Sequence, residues 1–386
     1  MISKQALRST LLALAVLAAG LAGCGGGGVD TGGTGASPGY AAGPITGFGS
    51  VIVGGVRFDD SSAEVEDLDG ARRSRDELRL GMTVEVDSTT IATDATATAR
   101  RIRFESELVG LVGLVNMSDS SFQLLGQRVT VDASTVFDDR LAGGLAGLRI
   151  GDAVEVYAVF DPVLQRYRAT RVEPTTVLAG LRLRGPLAAV DTVAQTLRIG
   201  STTYPYAGAS NVPVGLAPGQ FVRLRMEFES LRVGWVVRSF GTPFRPLPDS
   251  DGIRFEGLVT AFALPSSFAV NGRAVDASGV STTGVALGVR VEVEGQIRNG
   301  SIRATRVQVK SDDDVRGRFE LFGPITSVNA AQATIVVRGF TVSTARSDLR
   351  YDNGGPSDLV AGRQVEVRAQ LSPDLRSLEA TRIRFR

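Results

Sequence analysis

Few residues in this 386-residue chain could do chemistry. Cys24 is the sole thiol, and it follows Leu21-Ala-Gly directly after an uncharged apolar run. Asp249-Ser-Asp251-Gly252, with Glu256 after it, has the alternate carboxylates of an oxygen-ligand calcium loop but lacks the third ligand position. A Pro-rich turn, with Pro243, Pro246 and Pro248 just before, explains the same residues without a metal, and Asp312-Asp313-Asp314 reads as a second solvated turn. Trp235, the only tryptophan, is flanked by Arg232 and Arg238, residue types that commonly anchor contact surfaces. The plainer reading of that hairpin is a repacked core in a drifted repeat.

Composition removes most other chemistry. There is no histidine, so Ser-His-Asp triads and His-based metal sites are excluded, and a single cysteine forms no internal disulfide. Lysine occurs only as Lys4 and Lys310, against 40 arginines. A carboxylate hydrolase needs two acids flanking a cleft, about 5 to 9.5 Å apart. Among 41 acidic residues a chance pair is inevitable, so the sequence lends that reading no support. No catalytic residue and no cofactor are expected.

The elements that must position these residues begin with an N-terminal address. Lys4 and Arg8, then Leu11 to Leu21, then small residues before Cys24, have the layout of a cleaved secretory signal over residues 1–23. The apolar run is too short for a spanning helix. Its removal takes away two basic residues, leaving 40 against 41 acidic ones and a net charge of −1. That balance gives no electrostatic reason to expect nucleic acid. Residues 24–42 are rich in Gly, Ser, Thr and Ala and read as a flexible tether, with a root-mean-square reach of about 20 to 25 Å.

The remainder repeats. Gly81-Met-Thr-Val-Glu-Val86 recurs as Gly151-Asp-Ala-Val-Glu-Val156, Gly219-Gln-Phe-Val-Arg-Leu224, Gly288-Val-Arg-Val-Glu-Val293 and Gly362-Arg-Gln-Val-Glu-Val367. A second anchor follows at Ala99-Arg-Arg-Ile102, Ala169-Thr-Arg-Val172, Ala304-Thr-Arg-Val307 and Ala380-Thr-Arg-Ile383, weakly at Val236-Val-Arg-Ser239. A third precedes them at Gly43-Pro-Ile45, Gly113-Leu-Val115, Gly185-Pro-Leu187, Gly257-Leu-Val259 and Gly323-Pro-Ile325. Three anchors in one order define five repeats, 43–108, 109–178, 179–252, 253–316 and 317–386. Within each, apolar residues alternate and turn signals recur, as in Phe268, Val270, Asn271-Gly272 and Val275. The expectation is an all-β chain of five tandem, about five-stranded small barrels.

Strand parity sharpens that picture. Taking Arg298-Asn299-Gly300 as a three-residue loop pairs Glu292 with Arg306 on the outer face and Val291 with Val307 inside. The equivalent pairs are Glu85 with Arg101, Glu155 with Arg171 and Glu366 with Arg382. The arginine stripes at Arg101 and Arg103, Arg182 and Arg184, Arg223 and Arg225, and Arg382, Arg384 and Arg386 read as a soluble outer face. The third repeat departs, with Arg223 in place of the glutamate.

Leu-Ala-Gly-Cys24 resembles the lipobox of bacterial lipoproteins, whose cysteine receives a diacylglyceryl group and becomes the acylated N-terminus. Together with the tether and the repeated anchors, the chain resembles a group of bacterial lipoproteins whose module is a domain of unknown function, a small barrel related in shape to OB-folds. The resemblance implies an envelope location, membrane attachment through palmitate-type acylation of Cys24 and no active-site residue. Gly at position 25, by the same resemblance, implies export to the outer membrane, on its periplasmic or its exterior side. The expected role is a non-catalytic binding or structural array, with an envelope protein or a glycan as partner. The alternatives are a surface-polysaccharide or small-ligand binder and a carboxylate hydrolase.

Overall fold

A computed structural model describes residues 38–141, 143–175, 180–311, 319–373, 375 and 377–386. Cys24, the signal segment, most of the tether and Asp312 to Asp314 lie outside the described residues. Residues Ser37–Arg386 form one compact unit. Among the described residues the elements are strands and three short 3-10 turns, as the period-two alternation of valines predicts.

The first repeat shows how a barrel closes. Strand Gly39–Phe48 pairs antiparallel with Val51–Val53 and with Thr83–Ser88. Val51–Val53 pairs with Val56–Asp59, which lies parallel to Thr96–Phe104, and that strand returns antiparallel to Thr83–Ser88. The closed order, first-second-third-fifth-fourth-first, is that of a small OB-like Greek-key barrel. The same ring is made by Leu108–Asn116 to Arg166–Pro174. It recurs from Ser250–Leu264 to Ser301–Val309, and from Phe319–Asn329 to Leu378–Phe385.

The third repeat leaves the ring open. Its strands Ala189–Asp191, Thr196–Ile199 and Thr202–Pro205 form a separate three-stranded sheet. Pro205, with no N–H to donate, ends the strand that would close on Gly234–Gly241. A single bridge, Ser210 to Ser239, remains there.

Two sequence anchors acquire a physical meaning. The five repeat glycines, Gly81, Gly151, Gly219, Gly288 and Gly362, all have φ between 79° and 93°, where a side chain is strained. Each donates its N–H to the carbonyl of the third-anchor apolar residue, Ile45, Val112, Leu187, Val259 or Ile325, at 2.7–2.9 Å. That residue's N–H returns a bond to the residue after the glycine. In the second repeat the partner is Val112, so the true anchor is Gly110-Leu-Val112, three residues before the one read from sequence.

The Ala-Thr-Arg anchor is a β-bulge. Ser88 faces Ala99 while Asp87 faces Arg101, so Arg100 has no partner of its own. Thr170, Arg238, Thr305 and Thr381 are the extra residues of the corresponding hairpins. The alanine beside each bulge is buried in the four matching repeats.

This bulge corrects the expected register. Asn299 and Gly300 both have positive φ and form a two-residue turn between Arg298 and Ser301, the conformation that Asn-Gly favours. The odd residue is absorbed at Thr305, so Glu292 faces Gln308, and Arg306 faces Glu294 at 3.4 Å. In the same way Glu85 faces Arg103, Glu155 faces Glu173 and Glu366 faces Arg384. The expected face parity holds, but each direct partner is two residues further on.

The barrels share walls. Gly39–Ala42 runs parallel to Gly252–Phe255, and Gly47–Phe48 parallel to Glu320–Leu321. Strand Leu181–Pro186 pairs with Leu108–Asn116. The first strand thus begins at Gly39, inside the stretch read as tether. One apolar cluster runs through the first and fifth repeats, a second through the second and third, and a third fills the fourth together with Tyr40 and Ala42. Each fully buried Val, Leu or Ile side chain contributes roughly 1.5–3 kcal/mol.

Candidate functional site

The densest charged site sits where the first barrel hands over to the second. Strand Thr96–Phe104 ends in one core and Leu108–Asn116 begins in another, so Glu105-Ser106-Glu107 between them is trapped at the boundary and buried. A buried carboxylate requires partners, and arginines supply them from the third repeat. Glu105 Oε1 accepts from Arg182 Nη1 at 2.9 Å and from Arg223 Nη2. Arg223 also donates to both oxygens of Asp69 in the first repeat, at 2.7 and 3.0 Å, where Arg225 joins it. Burial by itself would lower the Arg223 guanidinium, but Asp69 and Glu105 outweigh it and hold it above its ordinary range.

Glu107 has a different environment. Its Oε1 accepts from Arg184 Nη1 at 2.9 Å and its Oε2 from the Ala158 N–H at 3.0 Å. Burial pushes its carboxyl up to about 7, although Arg184 and the Ala158 N–H pull the other way. Arg273, from the fourth repeat, donates to Glu85 and lies 4.9 Å over the Phe244 ring, while Arg184 lies 4.7 Å over the same ring. Three repeats therefore meet through guanidinium, carboxylate and one aromatic ring, and the second joins them through the Ala158 N–H.

The cavity among these groups is about 80 Å³. Ligand sites usually run to about 300–1,000 Å³. One oxygen of Glu105 and one of Glu107 are held by arginines, Glu107 Oε2 takes the Ala158 N–H, and of these oxygens only Glu105 Oε2 is buried without a partner among the described residues, so the arrangement is suited to joining barrels rather than to seating a substrate.

This revises the reading of the arginine stripes as a solvated outer face. Arg223 is only 5% exposed, and Arg103 is likewise buried against Glu66 and Asp87. Arg225 and the C-terminal arginines Arg382, Arg384 and Arg386 do reach solvent. Nor are all motif glutamates free on the outer face. Glu292 is buried between Arg254 and Lys310, and Glu366 is held by Arg384 and Arg386.

The acidic stretch at the third-to-fourth junction does not form a calcium loop. Ser250 already begins an extended strand. Asp249 Oδ1 accepts the Asn299 N–H at 2.8 Å, Asp251 pairs with Arg298, and Glu256 accepts from Arg290 at 3.2 Å. The three carboxylates are thus directed to three protein donors. Trp235 is half-buried and packs edge-on against Phe228 at 4.9 Å. Arg238, the bulge residue, bonds Glu227 and Glu229, while Arg232 is exposed near the hairpin tip beside Leu231, itself 98% exposed. Glu105, Glu107 and Asp69 escaped the sequence reading. The available signal was two glutamates placed between the apolar ends of adjacent strands.

With this geometry in view, three segments, residues 113–173, 256–308 and 322–384, match the family described as "Domain of unknown function (DUF5666)". The model of that family thus matches the chain three times, over somewhat less than half of its length. The matches coincide with most of the second, fourth and fifth repeats, whose rings close. Among curated proteins none matches the chain. A solved structure titled "drosophila Unr CSD456" is similar at 17% identity, over 53% of this chain and 97% of that one, with a TM-score of 0.16. That likeness is too slight to bear on the fold or ligand of this chain.

Proposed function

We propose that the chain is a lipid-anchored protein of the bacterial envelope in which fused small barrels act as a non-catalytic binding or structural array. The observation that carries this reading is the use of buried acids. Glu105 and Glu107, the buried groups a carboxylate hydrolase would draw on, are tied to arginines of another repeat around a cavity of about 80 Å³. A glycosidase mechanism needs its two acids facing a space that holds a sugar and a water. The repeated, wall-sharing barrels suit a rigid part that presents several surfaces at fixed spacing. The anchor rests on the Leu-Ala-Gly-Cys24 sequence, and the outer membrane, with an envelope protein or glycan as partner, is its destination in this reading.

Two measurements test it. Labelled palmitate is expected in the wild-type chain and absent from Cys24→Ala, and label that persists in the variant refutes the anchor. Affinity capture of the tagged, lipidated protein from cross-linked envelopes is expected to bring down a protein or a polymer that the mislocalised Cys24→Ala control does not. Identical recoveries from both would refute the envelope role.

A further inference from the structure

A wider cavity, about 800 Å³, opens where the first, second and fifth repeats meet. Its size lies in the range of small-ligand sites. Buried Leu78, Leu80, Phe137 and Leu378 supply an apolar lining. Phe48 of the first repeat and Phe340 of the fifth stack there at 5.7 Å and 17°, both only half-buried. No other described aromatic pair joins these two repeats.

The charged lining nearly cancels, with five aspartates against four arginines. Several of those charges are already engaged. Asp138 accepts from Arg171 and Arg140, and Arg338 donates to the Phe322 and Gly49 carbonyls. The carboxylates of Asp76 and Asp139, by contrast, are exposed and make no hydrogen bond or ion pair with a described residue. A site for an anion or a cation would show one dominant sign. Here acceptors and donors alternate above apolar and aromatic surface. That pattern matches a ligand without net charge, whose closely spaced hydroxyls both donate and accept and whose ring faces are apolar.

We propose that this cleft binds a neutral oligosaccharide. A sugar ring lies with its C–H face against the Phe48–Phe340 pair and donates hydroxyl hydrogen bonds to Asp76 and Asp139. The proposal rests on the non-catalytic binding reading above and names the ligand class for it.

The test is calorimetric titration of the full lipidated chain, held in a non-glycosidic detergent, with chitotetraose and separately with maltotetraose. At least one probe is expected to bind in the micromolar to millimolar range and to be insensitive to salt. Asp139→Asn and Phe340→Ala are each expected to weaken it by roughly tenfold, about 1.4 kcal/mol. Trp235→Ala, remote in the third repeat, is expected to leave it unchanged. Asp139 is exposed, so its variant reports binding even if Phe340→Ala unfolds the chain. Absence of binding by both probes, or binding that survives Asp139→Asn and Phe340→Ala, overturns the proposal. So does salt-sensitive binding of pentalysine or of a sulfated polysaccharide at the same residues. Palmitate labelling and envelope capture are read independently, so failure here leaves the envelope role standing and failure there does not affect the titration.

Discussion

Replacing Gly81 by alanine tests whether the barrels are locked together by their repeat turns. Gly81 has φ +83° and Gly362 +87°, so alanine at either position incurs the left-handed strain of about 1–2 kcal/mol. The surroundings differ. A Cβ on Gly362 meets nothing within 4 Å, whereas one on Gly81 would lie 2.3 Å from the carbonyl oxygen of Thr170 and 3.1 Å from its carbonyl carbon. Those are backbone atoms of the second repeat's bulge and cannot rotate aside. Relief requires the two barrels to move apart, an overpacking cost of about 1–3 kcal/mol more. Gly362→Ala should therefore lose about 1–2 kcal/mol and Gly81→Ala about 2–5 kcal/mol in urea unfolding followed by circular dichroism. Hydrogen exchange supplies the second readout. Amides of strand Arg166–Pro174 should exchange faster in Gly81→Ala and at the wild-type rate in Gly362→Ala. Equal losses in the two variants, with no change in that strand, would refute the idea that the first repeat's turn bears on the second.

Two further outcomes follow from the buried charges. Arg223→Met leaves Asp69 to Arg225 alone and Glu105 to Arg182 alone, and should destabilise the fold by about 3–5 kcal/mol, as loss of one member of a buried ion network does. A loss under about 1 kcal/mol would mean the network behaves like surface pairs. Glu107 carries the opposite sign from an ordinary salt-bridged carboxylate. Its folded carboxyl titrates near 7 and its unfolded one near 4.5, so the folded chain keeps a proton that the unfolded chain releases. The stability it contributes is fully present below about 4.5 and is lost as pH rises through about 7. Urea midpoints between these limits should fall with pH in the wild type, and that component should vanish in Glu107→Gln. An unchanged pH dependence in Glu107→Gln would show that Glu107 does not carry it.

The barrel fold was legible because its constraints are local and repeated. A left-handed turn needs glycine, so Gly81, Gly151, Gly219, Gly288 and Gly362 stand out at near-constant spacing, and valines alternate wherever one strand face is buried. The register was not legible. A turn residue and a bulge residue restore parity equally well on paper, and only the Asn-Gly preference for a two-residue loop, weighed against the odd strand length, selects Thr305. The joints were harder still. Nothing in the alternation of Arg182 and Arg184 or Arg223 and Arg225 tells a solvated stripe from one pressed against another barrel, because both have polar residues at every second position. The distinguishing information lies more than 70 residues away in Glu105 and Glu107. Contacts at that separation leave no periodic trace.

The first strand, Gly39–Phe48, has Thr83–Ser88 of its own barrel against its first half and Val51–Val53 against its second, and the edge left over in each half is taken by Gly252–Phe255 and by Glu320–Leu321, more than 200 residues later in the chain. During synthesis the N-terminal barrel must therefore wait with unsatisfied strand edges until the last repeat has emerged. Pairings of such long sequence separation are slow to form, and exposed edges invite association with other chains in the interval. The chain's assembly is consequently timed by its final segment: a C-terminal truncation strips partners from the opening strand, and a holding chaperone would be needed most before the fifth repeat appears.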